Sequence, residues 1–533
     1  MRNLSYFNMY SSLIRSNHIT AQLTFCPRQP LHSLEHIVSR LYSTMFKMVA
    51  SKIQLNKVES EICTLVKEFC SHYNKANAET EPLVARITGG WVRDKLLGND
   101  SNDLDIAINN MTGEQFAEKL CAFLQDRGLE THSLHTIDKN PSKSKHLETC
   151  TTKLFDVPVD FVNLRSEEYT MESRIPKVEF GTPYDDAMRR DATLNAMFYN
   201  ITEDKIEDFT KKGFQDLNDG ILRTPLPPRQ TFIDDPLRVL RLIRFASRFN
   251  FQIDPQTYQA MRDPGIHQSF NHKISKGRVY TEMHKTLTSA NPFYALDLIQ
   301  GAHLSRVIFT TNETSPEIES IYENLDQHLK NLVETIPKLL KSHTTFASVF
   351  PGMQEPLILS LVLSGFKGLK GPDPAKPKNS IPLAGVITKE GLNFPNTQVD
   401  NVIACVESED SYHNLVRNGK SMKRSELGFA LRKLGKNWQM VHFYNICLDY
   451  LRHGDEPIPH YDEFYKHVHD CKLDDVYTLK HIINGKELAK LLDKKPGIWM
   501  GETLDKILIW QLDNPDISKE TFIENLNDIV HLP

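Results

Sequence analysis

The sequence predicts an α/β N-terminal part followed by an entirely α-helical part. Between residues 80 and 230, short apolar runs such as 84–87 and 157–162 alternate with Gly, Asn and Asp turns, a pattern typical of strands between helices. Beyond Asp234 the apolar residues recur at helical spacing and strand signals are few. Because the chain has 533 residues, of which 40% are hydrophobic, it can bury more than one core, and we expect several domains.

The first 44 residues differ in composition from the rest of the chain. They are rich in Ser, Thr and Asn and contain one acid, Glu35, against the basic residues Arg2, Arg15, Arg28 and Arg40. This composition is typical of a mitochondrial presequence, although a merely disordered terminus is the alternative. The internal methionines Met9, Met45 and Met48 offer later start sites. We therefore predict a mitochondrial matrix protein with cytoplasmic and nuclear forms from internal starts.

Charge and cysteine content limit the possible classes of function. The net charge is −5, so a nucleic-acid partner would require a local basic surface. Eight cysteines form no Cys-x-x-Cys pair and no zinc-like spacing, and we interpret them as reduced thiols in an intracellular protein. No apolar run approaches the about 20 residues that a membrane helix needs. The sequence implies no membrane association and no protein partner.

A glycine turn follows the first predicted helix and strand. Apolar residues at helical spacing, Val58, Ile62, Val66 and Phe69, predict the helix. A strand ending at Ile87 then leads into Gly89 and Gly90 and a short helix containing Arg93. Glycines at such a turn let backbone N–H groups approach a triphosphate, which a side chain would block. We assign Gly89, Gly90 and Arg93 to nucleotide binding.

Two aspartates two residues apart follow on the next predicted strand. Asp103 and Asp105 should project from the same face, while Leu104 and Ile106 face the core. A carboxylate pair of this kind suits hard cations, and we expect it to hold two Mg²⁺ ions about 3.5–4 Å apart. By itself Asp-x-Asp is weak evidence, since it is also the metal motif of many glycosyltransferases.

The longer pattern is more specific. Gly-Gly-Trp-Val-Arg-Asp-Lys-Leu-Leu-Gly at 89–98, followed by Asp-Leu-Asp at 103–105, resembles class II of the polymerase-β nucleotidyltransferase superfamily. That class contains eukaryotic, including fungal, and bacterial CCA-adding enzymes and bacterial poly(A) polymerases. The resemblance implies an α/β nucleotidyltransferase head, with a small mixed β-sheet and flanking helices, followed by all-α neck, body and tail domains. We place these at 45–230, 231–300, 301–430 and 431–533, the tail contacting tRNA.

Further motifs follow in the order found in the family. Asp160 on a predicted strand is a candidate third catalytic carboxylate, or simply a strand aspartate with satisfied hydrogen bonds. The segment 189–196 resembles the second motif, which implies that Arg190 and Asp191 recognise the ribose 2′-hydroxyl with support from Asn195. A surface Arg–Asp pair is the alternative. The acidic segment 216–220 resembles a hinge turn and is equally explained as a plain turn.

The segment 234–245 resembles the protein template of the family. The resemblance assigns base recognition to Asp235 and Arg238, which as residues three apart should share a helical face. The alternative is a structural helix start, since Asp-Asp-Pro is also a capping pattern. Four arginines at spacings of three and four, without a nearby acid in sequence, suggest a triphosphate-binding stripe: Arg238, Arg241, Arg244 and Arg248. We assign the triphosphate contact to Arg241.

The remaining sequence is less specific. Ser275, Arg278 and Glu282 resemble the fifth motif, and we interpret them as a helix cap and an i,i+4 ion pair without a chemical role. Residues 367–378 are predicted to be an exposed loop. A basic segment between 417 and 436 fits either a tRNA backbone contact or a solvated surface.

Together these patterns predict addition of CCA to the 3′ end of tRNA from CTP and ATP, with Mg²⁺ as cofactor. The alternatives are a poly(A) polymerase of the same class and an inactive RNA-binding scaffold.

Overall fold

The computed structural model describes residues 52–101, 103–128, 134–137, 149–170 and 173–530. The predicted targeting segment, 1–44, lies outside the described residues. The elements of the N-terminal part and the segment after it are β1 (Ala85–Thr88), β2 (Leu104–Ile108), β3 (His135–Ile137), β4 (Thr149–Leu154), β5 (Val157–Asn163), β6 (Arg165–Thr170), β7 (Ser173–Phe180), β8 (Phe198–Asn200), β9 (Lys205–Glu207), β10 (Ile221–Leu222) and β11 (Gln252–Ile253), with helices α1 (Lys57–Ala76), α2 (Gly90–Leu96), α3 (Gly113–Asp126), α4 (Pro183–Met188), α5 (Gly213–Asp219), α6 (Pro228–Asp234) and α7 (Leu237–Phe249).

Seven strands of the N-terminal part form one mixed sheet. The strand order is β3-β4-β5-β2-β1-β8-β9. Strands β2 and β5 are parallel, while the other neighbouring strands run antiparallel. Strands β6 and β7 form a separate antiparallel hairpin. The parallel register sets Asp105 directly opposite Asp160, so two acidic strand positions lie side by side.

Two amphipathic helices cover the sheet through an aromatic cluster. Asn56 and Glu59 form a capping box at the start of α1, which satisfies backbone N–H groups that the first turn leaves unpaired. The ring of Phe69 on α1 meets that of Phe116 on α3 edge-on at 5.2 Å. Phe116 in turn lies 4.9 Å from Phe161 of β5. The core therefore packs directly beneath the strand that carries Asp160.

The chain beyond residue 254 is almost entirely helical. Its helices are α8 (Pro255–Ala260), α9 (Pro264–Lys273), α10 (Lys276–Leu287), α11 (Pro292–Gly301), α12 (Ser305–Ile308), α13 (Pro316–Ser342), α14 (Thr344–Val362), α15 (Leu383–Val386), α16 (Asn396–Val406), α17 (Glu409–Asn418), α18 (Arg424–Leu434), α19 (Trp438–His453), α20 (Ile458–Asp470), α21 (Gly485–Leu491), α22 (Trp499–Asp513), α23 (Lys519–Glu524) and α24 (Leu526–Val530). Phe346 of α14 stacks on Phe443 of α19 at 4.8 Å. The last four helices enclose a hydrophobic cluster that includes Leu488, Ile507 and Phe522.

The predicted fold class is confirmed, with one local correction. Residues 367–378 are not a plain loop, because β12 (Lys370–Asp373) and β13 (Lys376–Pro382) pair there as an antiparallel hairpin. The hairpin escaped prediction because its Pro, Gly and Lys residues are poor strand formers. In the part of the chain that the structure describes, no helix is long and apolar enough to span a membrane.

Gly113 at the start of α3 provides a test of this packing. A β-carbon built there would lie 2.0 Å from the carbonyl oxygen of Phe161, a backbone atom that cannot move independently of β5. We expect Gly113→Ala to lower the free energy of unfolding by about 1–3 kcal/mol, as overpacking does in other cores. Thermal and denaturant unfolding would measure it.

Gly501 in α22 is the matched control. A β-carbon there would meet no atom within 4 Å. We expect Gly501→Ala to stabilise the protein by about 0.5–1 kcal/mol, since alanine loses less backbone entropy in a helix. Equal stability changes in the two variants would contradict the packing of α3 on β5.

Candidate active site

The sequence-predicted nucleotide residues line one cavity where the sheet meets α7. The cavity has a volume of about 520 Å³. Nine predicted residues and one of the predicted metal ligands line it: Gly89, Gly90, Arg93, Arg190, Asp191, Asn195, Asp235, Arg238, Arg241 and Asp105. It also contains Arg165, Glu167, Arg189, Arg244, Arg248 and Arg278. A pocket lined mainly by guanidinium and carboxylate groups suits a polyanionic ligand.

Asp105 lines the cavity, and the charges of two further carboxylates, Asp103 and Asp160, act on it. We call these three residues the carboxylate edge. Asp105 lies opposite Asp160 on β5, and the hydroxyl of Thr151 donates to Asp160 Oδ1 at 2.5 Å. Asp103 is exposed and immediately precedes β2, which begins at Leu104 and not at Asp103 as predicted. Burial, and then the charges of Asp103 and Asp160, raise the pKa of Asp105 to about 6. A cation at this edge would relieve the repulsion.

The carboxylates at this edge of the cavity fit a hard divalent cation that takes its remaining ligands from a bound substrate. Across the described residues, no three His, Cys, Asp or Glu side chains form a group that could hold a metal ion. Mg²⁺ is commonly bound by one or two carboxylates, with phosphates and water completing the shell. The carboxylates of Asp103 and Asp105 beside an arginine-lined cavity therefore fit a metal whose coordination is completed by a nucleotide.

The glycine turn brings backbone close to the cavity wall. Gly89 has φ 77°, in the left-handed region that favours glycine. A β-carbon there would lie 3.4 Å from a terminal guanidinium nitrogen of Arg190. A β-carbon on Gly90 would lie 3.1 Å from the guanidinium of Arg93. Side chains at these two positions would therefore crowd two arginines of the cavity.

Arg190 is fixed by a buried carboxylate that the sequence analysis missed. Its guanidinium donates to Asp186 at 2.7 Å and to the hydroxyl of Thr88 at 2.6 Å. Burial opposes ionisation of Asp186, but Arg190 and Arg189 lower its pKa to about 2. Asp186 lies four residues before Arg190 in the segment around α4. This i,i+4 spacing could have predicted the pair from the sequence.

Asp191, Asn195 and Arg241 form a hydrogen-bonded group between the sheet part and α7. Arg241 Nε donates to Asp191 at 2.7 Å, and the amide of Asn195 donates to the same carboxylate at 3.0 Å. Arg93 donates to the amide oxygen of Asn195 at 2.6 Å. Burial opposes ionisation of Asp191, yet Arg241 lowers its pKa below the ordinary value. The carboxylate therefore stays an acceptor.

Asp235 and Arg238 both line the cavity but do not share a helical face. Helix α7 begins at Leu237, and Asp235 has an extended backbone with φ −136° and ψ 97°. Asp235 Oδ1 accepts from the Leu237 N–H at 3.2 Å, and Arg238 donates to the carbonyl of Thr231 at 3.4 Å. The prediction of one helical face was wrong because α6 ends at Asp234 and the chain turns before α7 starts.

The arginine stripe of α7 is not unpaired, contrary to the sequence analysis. Arg244 Nε donates to Glu282 at 2.5 Å, and Arg248 lies 3.7 Å from Asp94. Arg241 contacts both Asp191 and Glu282. These acids are 38 to 154 residues away in sequence, so a local inspection could not find them.

Arg278 and Glu282 of α10 do not pair with each other as predicted. Arg278 binds Asp235 with its two terminal nitrogens at 2.7 and 3.3 Å, whereas Glu282 binds Arg244. Ser275 does stand at the N-cap position, but its side chain makes no capping hydrogen bond. The i,i+4 interpretation was wrong because each side chain finds a closer partner on α7 or just before it.

Comparison with known proteins gives two matching family models. The model described as "Poly A polymerase head domain" matches residues 85–223. The model described as "Probable RNA and SrmB- binding site of polymerase A" matches residues 250–321. The first match covers the sheet and the glycine turn, and the second begins directly after α7.

Two curated relatives are similar over nearly their whole length. The "CCA tRNA nucleotidyltransferase, mitochondrial" of Candida glabrata is 45% identical, over 91% of this chain and 98% of the relative. The protein of the same name from Saccharomyces cerevisiae is 46% identical, over 91% of this chain and 95% of the relative. The chain belongs to the CCA tRNA nucleotidyltransferase family. It is therefore a nucleotidyltransferase, and enzymes of this superfamily generally use divalent metal ions.

A solved CCA-adding enzyme has the same fold. "The structure of CCA-adding enzyme apo form II" is 20% identical, with a TM-score of 0.61 over 92% of this chain and 98% of that one. The bacterial "Poly(A) polymerase I" of Salmonella typhi is a more distant relative, 27% identical over 52% of this chain and 57% of its own length. The likeness to poly(A) polymerases is thus confined to about half of each chain.

Glu167 and Arg165 of β6 are two cavity residues that no family motif in the sequence indicated. Glu167 Oε1 lies 2.9 Å from Arg165 and 3.1 Å from Arg189, and Glu167 Oε2 lies 4.0 Å from Arg238. Burial lowers the pKa of Arg165 to about 10. Among the described strands, β6 pairs with β7 alone, so sequence spacing gave no indication that it reaches the cavity.

Three residues of the basic segment at 417–436 contact other parts of the C-terminal half. Arg432 donates to the carbonyl of Leu479 at 2.6 Å, and Arg424 donates to that of Cys471 at 3.0 Å. Lys420 forms an ion pair with Glu463. These three residues stabilise contacts between helices and loops of this half, which favours the structural interpretation for them.

Proposed function

We propose that the chain adds the sequence CCA to the 3′ end of tRNA from CTP and ATP, without a nucleic-acid template. The observation that carries the proposal is one cavity lined together by Asp105, by an arginine cluster and by the pair Asp235 and Arg238. Relatives named for this activity match over nearly their full length. The position of the three groups around one nucleotide-sized cavity supports transfer from a bound triphosphate.

Asp103 and Asp105 are the proposed ligands of two Mg²⁺ ions, and Asp160 the third catalytic carboxylate. Support comes from the raised pKa of Asp105, caused by burial and by the charges of Asp103 and Asp160. When bound, the ions would supply activation of the attacking hydroxyl and charge neutralisation on the phosphates. Thr151 donates to Asp160 and so holds that carboxylate as an acceptor toward the edge.

The arginines and glycines are proposed to bind the rest of the nucleotide. The Gly89–Gly90 turn and Arg93 meet the triphosphate, with Arg241 as a further phosphate contact. Arg190, Asp191 and Asn195 recognise the ribose 2′-hydroxyl, to which a carboxylate can offer an acceptor and a guanidinium a donor. The hydrogen bonds that already hold Asp191 between Arg241 and Asn195 support this role, because they fix its orientation.

The reaction proposed is an in-line displacement. The tRNA 3′-oxygen forms a bond to the α-phosphorus of the nucleotide, the bond from that phosphorus to the bridging oxygen of the β-phosphate breaks, and pyrophosphate leaves with the electron pair. The hydroxyl proton passes to the carboxylate edge or to water. No covalent enzyme intermediate is needed, so positioning and electrostatic stabilisation supply most of the rate.

Asp235 and Arg238 are proposed to select the base. Cytosine and adenine each present an exocyclic amine beside a bare ring nitrogen, so Asp235 can accept from the amine while Arg238 donates to the nitrogen. Uracil and guanine present a carbonyl and a ring N–H at these positions. A mismatched base leaves buried polar groups unpaired, and each unpaired group costs about 1–3 kcal/mol of free energy. The pair therefore admits C and A.

The tRNA partner is proposed to extend along the helical half. We divide the chain into a head at 45–230, a neck at 231–300, a body at 301–430 and a tail at 431–533. The match of 250–321 to a family model described as a probable RNA-binding site supports contact with RNA just beyond α7. An inactive scaffold is disfavoured because the carboxylate edge and the cavity are both present.

Single-nucleotide assays on tRNA lacking its last three nucleotides test the activity and the metal site together. We expect C addition from CTP alone, a complete end from CTP with ATP, and no reaction after chelation of divalent ions. Asp103→Asn should slow addition of both nucleotides by about 1,000-fold or more, because metal ions supply several kcal/mol of transition-state stabilisation.

Asp100→Asn is the control for charge loss near this edge. The Asp100 side chain is exposed and pairs with Lys95, so this variant should retain near-normal rates. Long A tracts from ATP alone, with indifference to CTP, would identify a poly(A) polymerase instead. Addition by Asp103→Asn at a rate within tenfold of the unaltered enzyme would exclude the proposed metal ligand.

Substitution of Asp235 tests base selection separately from catalysis. Asp235→Ala removes the acceptor for the exocyclic amine, so incorporation of UTP and GTP relative to CTP and ATP should rise by about tenfold or more. Competition assays with mixed nucleotides would measure the ratio. The control is Asp234→Ala, since Asp234 accepts from Gln230 and should leave the ratio unchanged. Full discrimination by Asp235→Ala would refute the templating role.

We also propose import into the mitochondrial matrix, with cytoplasmic and nuclear forms from internal starts. The basic composition of residues 1–44 and the mitochondrial names of both yeast relatives support this proposal. A fluorescent fusion of the full chain should co-localise with mitochondria, whereas a fusion starting at Met45 should distribute between cytoplasm and nucleus. Identical distributions of the two fusions would rule out targeting by this segment.

A further inference from the structure

Helix α10 places two charged side chains, one turn apart, against two different parts of the nucleotide site. Arg278 reaches Asp235, and Glu282 reaches Arg244 and Arg241. The Arg278 side chain lines the cavity and is 27% exposed, whereas that of Glu282 is 6% exposed behind the cavity-lining residues Arg241 and Arg244. The helix therefore contacts both the proposed base-selecting acid and the proposed phosphate-binding arginines.

Asp235 is held by α10 and by the start of α7. Arg278 donates to Asp235 Oδ2 at 2.7 Å and to Oδ1 at 3.3 Å, a two-pronged contact that fixes the plane of the carboxylate. The Leu237 N–H adds a bond to Oδ1 at 3.2 Å. Arg238 instead contacts Glu167 and the carbonyl of Thr231, so the two proposed base-selecting side chains are held by different partners.

We propose that Arg278 is a positioning residue for base selection, setting the Asp235 carboxylate so that it can accept one hydrogen bond from an exocyclic amine. This inference rests on the proposed function and deepens it. Arg278 acts through Asp235 and needs no contact of its own with the nucleotide. Its effect should therefore fall on the choice of nucleotide rather than on the chemical step.

The acceptor capacity of a carboxylate supports this role. An ionised carboxylate offers about four acceptor positions on its two oxygens. Arg278 and the Leu237 N–H use both positions of Oδ1 and one of Oδ2. Counting the contacts made by the residues that the structure describes, one position on Oδ2 remains, which matches the single amine of cytosine or adenine. Burial opposes ionisation, but Arg278 lowers the pKa of Asp235, so the group does not become a donor that would accommodate a carbonyl.

Glu282 provides a contrast on the same helix. It binds Arg244 at 2.5 Å and lies 3.7 Å from Arg241. Both arginines line the cavity, and the proposed function assigns Arg241 to the triphosphate, which CTP and ATP share. Removing the Glu282 charge should therefore change the binding of every nucleotide by one common factor, without changing which base is accepted.

The experiment compares Arg278→Met with Glu282→Gln in the full-length protein. For each variant, kcat and KM are measured with CTP, ATP, UTP and GTP on tRNA acceptors, together with the melting temperature. We expect Arg278→Met to raise the incorporation of UTP and GTP relative to CTP and ATP by about tenfold. Glu282→Gln should shift KM for CTP and ATP by the same factor and keep the discrimination of the unaltered enzyme.

Arg278→Lys keeps the positive charge but loses the two-pronged contact, and serves as a second variant if Arg278→Met does not fold. We expect it to recover part of the discrimination. The inference is overturned if a folded variant at position 278 slows all four nucleotides equally, or if discrimination falls no more than in Glu282→Gln. Failure of the proposed function would appear separately, as absence of C addition by the unaltered enzyme.

Discussion

The ion pair between Asp191 and Arg241 joins the two walls of the active-site cavity. Asp191 belongs to the segment that leads from α4 into β8, and Arg241 belongs to α7, so their 2.7 Å contact ties the sheet to the first long helix after it. Asn195 extends the contact to Arg93 in the glycine-turn helix. The positions of the glycine turn, Asn195 and the arginines of α7 thus depend on one buried carboxylate.

Charge in this cavity is balanced by carboxylates that come from distant parts of the chain. The guanidinium groups of α7 pair with acids from α2, α10 and the segment after α4. Moving a charge out of water costs free energy unless an opposite charge is close. This cost explains why each of these arginines lies beside an acid. The same pairing explains how a protein with a net charge of −5 can contain an arginine-rich cavity.

Sequence alone predicted the fold class and most of the cavity lining, because both depend on local patterns. The Gly89–Gly90 turn, the acid pair at 103–105 and the arginines of α7 each have a short signature with a physical reason behind it. The acidic partners were not predictable in this way. Asp186 could have been found from its spacing to Arg190, but Glu167 reaches the cavity only because β6 and β7 fold back as a hairpin.

The wrong predictions of side-chain partners on the helices have one physical cause. Arg278 and Glu282 were assigned to each other as an i,i+4 pair, whereas their observed partners, Asp235 and Arg244, lie on other elements. Local ion pairs on a helix contribute only about 0.2–0.5 kcal/mol, so a buried partner with good geometry outweighs them. Periodicity identifies which residues share a surface, but tertiary packing decides which of them interact.

The acid partners of the arginines have a consequence for turnover. Under the proposed function, Glu282 contacts two guanidinium groups, those of Arg241 and Arg244, that the triphosphate would also reach, so phosphate binding would exchange carboxylate oxygens for phosphate oxygens. Such an exchange yields less net free energy than binding to bare cations, because the carboxylates must be given up. Repeated cycles on one RNA end would benefit from this weaker binding, because the carboxylate could replace the departing diphosphate on the guanidinium groups.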